Sequence, residues 1–154
     1  MNRSIRGSVC GVLFLAAATS PSWAQTDEPK PDLSGNDPHW IEDTVSQCWA
    51  ANPHPEGNET ISWSGACEGG LLSGEGTLTW AQNGRITGRD QGTFKDGRLT
   101  GRGTIISVDG TSYDGEFPGR GVLTLPDGSK VPAQTVREFT GWTIEAPVPA
   151  EPPL

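Results

Sequence analysis

Between residues 61 and 130, apolar residues fall at alternate positions in short runs, and each run is bounded by glycine. Thr77 to Trp80, Thr104 to Val108 and Val122 to Leu125 are the clearest runs. Leu78, Ile105 and Leu123 hold equivalent places in them, and Trp80, Ser107 and Leu125 follow two residues on. Side chains two apart on a strand share a face, so both columns predict one apolar side of a sheet. A shorter strand precedes each run, as in Ile61 to Cys67, and a glycine-rich turn separates the two, so each unit reads as a β-hairpin. Asn83-Gly84, Asp109-Gly110 and Asp127-Gly128 supply turn dipeptides that accept positive φ. The glycine density argues against any long helix.

The units repeat in phase. The first reads Trp63-Ser64-Gly65-Ala66-Cys67, then Gly70, Gly74-Glu75-Gly76 and Gly84. The second reads Asp90-Gln91-Gly92-Thr93-Phe94, then Gly97, Gly101-Arg102-Gly103 and Gly110. The third reads Tyr113-Asp114-Gly115-Glu116-Phe117, then Gly119-Arg120-Gly121 and Gly128. A fixed period marks a repeat protein, and such arrays usually serve as surfaces that hold partners. The expected fold is all-β: tandem hairpins forming an extended, single-layer twisted sheet over residues 61–144. Residues 39–60 are expected to form an N-terminal cap on its open edge. Hydrophobic residues make up only 33% of the chain, which suits a thin sheet better than a thick two-sided core.

The flanks carry different signals. Arg3 and Arg6 precede the apolar run Val9 to Ala18, and Ser22-Trp23-Ala24 places small residues at both positions before a cut. This pattern predicts a signal peptide over residues 1–24, cleaved after Ala24. The run is shorter than the roughly 20 apolar residues a membrane span needs. Residues 25–38 and 145–154 read as a disordered leader and tail, rich in proline and acidic residues. Cleavage would remove Cys10 and leave Cys48 and Cys67, a pair expected to form a disulfide in an oxidising compartment. It would also remove two positive charges and no acid, taking the net charge from −8 to about −10. So acidic a surface excludes nucleic acid as a partner and disfavours direct contact with anionic membrane lipid.

The aromatic-x-Gly-x-aromatic opening, the later Gly-x-Gly and the Asp/Asn-Gly turn resemble MORN repeats, the membrane occupation and recognition nexus motif. Tyr113 to Phe117 is the closest match, and Trp63 to Cys67 resembles the first repeat of exported bacterial members. The resemblance covers about 80 of the 154 residues. It implies rows of hairpins in a twisted sheet with a groove, and roles in scaffolding, dimer formation and phospholipid binding. Two substitutions depart from the pattern: Asp90 replaces the opening aromatic of the second unit, and Ser107 stands where Trp80 and Leu125 stand in the others. Gly115 to Gly119 is also five residues shorter than Gly65 to Gly74. The groove is therefore expected to narrow or break at the third unit.

Little in the chain points to catalysis or to a cofactor. Its two histidines, His39 and His54, lie before the repeats, and a Cys48–His54 nucleophile pair would be silenced by the disulfide. Asp109, Asp114, Glu116 and Asp127 flank turns, where turn chemistry is the reading set against calcium ligation. The aromatics Trp63, Trp80, Phe94, Tyr113, Phe117 and Trp142 sit at repeat-equivalent places, as sheet core or as a stacking platform. Trp63, Trp80, Tyr113 and Phe117 are the binding candidates, and Trp63 and Tyr113 are expected to be partly exposed because they open their hairpins. The expected function is an exported, non-enzymatic scaffold for a protein partner, with self-association as a variant. The alternative is an envelope binder of glycan or lipid headgroups.

Overall fold

The computed structural model describes residues 31–138 and 141–146. The expected signal peptide, the leader up to residue 30 and the tail beyond residue 146 lie outside the described residues. Every regular element described is a strand: β1 (Trp40–Asp43), β2 (Cys48–Ala51), β3 (Glu59–Trp63), β4 (Ala66–Glu68), β5 (Leu71–Gln82), β6 (Arg85–Lys95), β7 (Arg98–Ser107), β8 (Ser112–Phe117), β9 (Gly119–Thr124), β10 (Lys130–Glu138) and β11 (Gly141–Glu145). They form one sheet in the order β1-β2-β5-β6-β7-β8-β9-β10-β11, with β3 and β4 also paired to β5. Only the β2–β5 pairing is parallel. The fold is the expected all-β hairpin array, an open sheet.

Turn chemistry sets the hairpins. Asn83 (φ 51°) and Gly84 (φ 77°) join β5 to β6, both in the left-handed region that a tight two-residue hairpin turn demands. Asp96 and Gly97 join β6 to β7 in the same way.

The register lines up the repeat columns. One transverse row runs Trp63, Leu78, Asp90, Ile105, Tyr113, Leu123 and Val131 across successive strands. Beside it runs a row of the smallest residues: Gly76, Gly92, Gly103, Gly115, Gly121 and Ala133. The glycine row exists because rings lie across it. A Cβ on Gly76 would stand 2.7 Å from Cζ3 of Trp63, and one on Gly121 would stand 2.6 Å from Cζ of Tyr113. Each opening aromatic thus folds back over the glycines of its own unit and buries its face against bare backbone.

All these side chains share one face, and the sheet curls over it. Trp142 on β11 donates its indole Nε1–H to the Leu99 carbonyl on β7 at 2.9 Å, although three strands separate β7 from β11 in the sheet. Edge-on ring contacts carry the core along this inner face: Trp63 with Phe94 (4.7 Å), Tyr113 with Phe117 (5.2 Å) and Phe117 with Trp142 (6.0 Å). On the opposite face, Thr104 and Arg102 both bond to the Asp114 carboxylate.

The segment before the repeats is tied to the sheet covalently and by hydrogen bonds. Cys48 and Cys67 form a disulfide, with Cα atoms 5.9 Å apart, joining β2 to β4. Ala51 N–H donates to the Gly97 carbonyl at 2.9 Å. Asp43, at the end of β1, is almost fully buried and accepts from Ser46 Oγ (2.7 Å), Val45 N (3.2 Å) and Trp63 N (3.2 Å). Burial raises its pKa, but these donors outweigh it and hold the carboxyl below the usual range. Asp43→Ala leaves the Trp63 N–H without its acceptor and should cost about 1.5 kcal/mol in urea unfolding. Because the folded-state pKa is lowered, the ionised group stabilises the fold above its unfolded pKa. That contribution disappears as pH falls through the folded value, so the variant's deficit should shrink in strong acid.

Candidate functional site

A cavity of about 710 Å³ opens on the inner face. Its floor is the sheet itself, with Leu78 and Trp80 from β5, Asp90 and Phe94 from β6, and Ile105 from β7. One wall is the segment 51–59 that leads into β3, and the other is β11, with Trp142 and Ile144. Among the described residues, none from 108 to 138 lines it, so the opening lies over the first two units. Over the third unit the same face is filled by Tyr113, Phe117 and Ala133, in keeping with a groove that ends there.

Four rings were the sequence candidates for binding, and the fold separates them. Trp63 is 7% exposed, Tyr113 0% and Phe117 2%, so the expected partial exposure of Trp63 and Tyr113 does not hold. Opening a hairpin does not expose a ring when two glycines lie beneath it and the sheet curls above it. Tyr113 is further pinned where its hydroxyl donates to the Gly119 carbonyl at 3.1 Å, and burial pushes its pKa up. Trp80 alone of the four lines the cavity, half-buried, and Phe94 and Trp142 join it there.

The residue that the ring pattern did not nominate is Asp90. It occupies the row position that Trp63 holds in the first unit and Tyr113 in the third. Its Oδ2 accepts a hydrogen bond from Trp80 Nε1 at 2.9 Å. Part of its surface still meets the cavity, but protein crowds it on all other sides. This desolvation pushes its pKa up to about 6, against which the Trp80 hydrogen bond works. The signal was present in the chain as a charge at a place reserved for an aromatic.

The other sequence candidates have local duties. His39 contacts Asp37 at 3.2 Å, while His54 lines the cavity. Cys48 is committed to the disulfide and so offers no thiolate. Asp109 and Asp127 each accept from the backbone N–H two residues on, at 2.8 Å, which is turn chemistry. Among the described residues, no three His, Cys, Asp or Glu side chains are grouped to hold a metal ion.

With the hairpins, the glycine row and the ring row in place, comparison with known families is direct. The MORN repeat family model matches residues 68–85, 91–112 and 113–130. No curated protein matches the chain. The matched segments run from the last residue of β4 to the first of β10, with 86–90 unmatched, so they lie in the centre of the sheet. The MORN family is not a known enzyme family, and its repeats are generally protein- or membrane-interaction modules.

Proposed function

We propose that the protein is an exported, non-enzymatic scaffold whose inner-face cavity holds a segment of a protein partner. The observation that carries this reading is the cavity itself. It is open, walled by half-buried aromatic and aliphatic side chains, and built on MORN repeats. The Cys48–Cys67 disulfide is compatible with an oxidising destination, in line with the export signal expected from Arg3, Arg6 and the apolar run after them. The acidic surface suits a partner with basic character.

The test is site-directed photocrosslinking of the full chain in the cells that make it. A benzophenone side chain is placed at Thr87, on the cavity lip, and separately at Arg89, exposed on the opposite face of β6. A discrete protein adduct from Thr87 and none from Arg89 is the expected result. Carbohydrate or lipid adducts alone from Thr87 would replace the scaffold with the envelope-binder reading. Equal labelling from both positions would remove the cavity from the partner contact.

A further inference from the structure

We infer that Asp90 makes this cavity a receptor for a single aliphatic cation, the lysine or arginine side chain of the partner. The inference rests on the scaffold reading and specifies what the groove recognises.

In the first and third units the opening position carries a ring that lies over the paired glycines and fills the inner face. In the second unit that position is Asp90, too small to cover Gly92 and Gly103. Leu99 covers them instead: its Cδ1 stands 2.9 Å from a Cβ built on Gly92 and 3.0 Å from one built on Gly103. Leu99 thus takes the ring's place over the glycines, and the cavity opens beside it, with Asp90 and Leu99 both in its lining.

The carboxylate left in that space is under-provided. Among the described residues, Trp80 Nε1–H is its side-chain donor, and Leu78 and Ile105 flank it as register partners on either side. A carboxylate among apolar groups with one neutral donor favours a cation that completes its coordination. Among the described residues, the other charged or titratable groups lining the cavity are His54, Glu56, Glu59 and Arg98. Glu56 and Glu59 already accept hydrogen bonds from Gln82 and Asn52, and the Arg98 guanidinium lies 4.9 Å from the Trp40 ring centroid. With three carboxylates against one arginine, the lining attracts positive charge at neutral pH. The indoles of Trp80 and Trp142 add π faces that suit an ammonium or guanidinium, and the aliphatic walls suit its methylene stem. Lysine and arginine combine those two features.

The experiment titrates the full chain with n-butylammonium and n-butylguanidinium at pH 7.5, with n-butanol and n-butyrate as neutral and anionic probes of similar size. The readout is the indole N–H NMR signals of Trp80 and Trp142. The cations should bind at least tenfold tighter than butanol, and butyrate should not bind. Asp90→Asn keeps an acceptor for Trp80 and should weaken the cations at least tenfold while leaving butanol unchanged. Acidification from pH 7.5 to 5 should weaken the cations in the unsubstituted chain and in His54→Gln, but not in Asp90→Asn, which assigns the loss to Asp90. Equal affinity for cation and butanol, or full cation affinity in Asp90→Asn, would overturn the inference. The Thr87 crosslink is repeated in Asp90→Asn to keep the two readings apart. An undiminished protein adduct would leave the scaffold standing and remove the cation from partner recognition. Cation selectivity through Asp90 with no protein adduct from either chain would sink the scaffold reading and, with it, the assignment of the cation to a partner side chain.

Discussion

Gly121→Ala should lower the free energy of unfolding by about 3 kcal/mol, near the upper end of what overpacking one methyl usually costs. A Cβ at this position would meet Cζ of Tyr113 at 2.6 Å, the Gly115 Cα at 2.7 Å and, nearest of all, the Asp114 carbonyl oxygen. Two of these three are backbone atoms of β8, so no rotamer change relieves the contact. The strand must move, and with it the Tyr113 hydroxyl that bonds to the Gly119 carbonyl. Gly57→Ala is the matched control: nothing lies within 4 Å of its Cβ and its φ is not positive. That variant should stay within about 0.5 kcal/mol of the parent. Urea unfolding of the three chains decides the matter. Similar midpoints for Gly121→Ala and the parent would mean that the glycine row is not packed as described.

Asp90→Asn should stabilise the protein by about 2 kcal/mol at pH 7.5 and by almost nothing near pH 3.5. The folded-state pKa is about 6, raised by desolvation from an ordinary value of 3.8. A tenfold change in proton affinity corresponds to about 1.4 kcal/mol, so the rise sets a ceiling of about 3 kcal/mol, reduced because the group retains contact with water in the cavity. The sign follows from linkage. A carboxyl with a raised folded pKa holds its proton more tightly when folded, so the stability it contributes is fully present below 3.8. It is lost as pH rises through the folded value near 6. Above that, the ionised form burdens the fold, and the amide removes the burden. Denaturant titrations of both chains across this range would show a gap that opens between about pH 4 and 6. A constant gap, or a less stable variant at pH 7.5, would contradict the desolvated state of Asp90. A charge that costs stability at a packing position accords with a binding role for Asp90.

Much of this molecule is legible in local pattern. The alternation in Thr77 to Trp80 and Val122 to Leu125 places those residues on strands, and all but Leu125 lie on one. Asn83-Gly84 marks the tight turn, and the Gly-x-Gly steps fall in one row because strands of similar length pair in a repeating register. The strands themselves run further than the alternation suggests: β5 begins at Leu71, well before the apolar run. Glycine at Gly74 and Gly76 reads as a break, whereas β6 holds both in the ladder, opposite Phe94 and Gly92.

The site was less legible. Trp63 and Trp80 look alike in sequence, each an aromatic at a repeat position. Their fates diverge because Trp63 finds Gly65 and Gly76 beneath it while Trp80 faces the space beside Asp90. Likewise, nothing local places Trp142 against Leu99, a contact 43 residues apart in the chain.

The hairpin repeat, its turns and the anomaly at Asp90 thus follow from residue order alone, since strand periodicity and glycine's conformational range act over a few neighbouring residues. Which rings are buried, where the sheet curls and that a cavity opens beside Asp90 were decided only when distant strands met. Burial and desolvation depend on what the rest of the chain brings to a face, and that is a property of the assembled sheet.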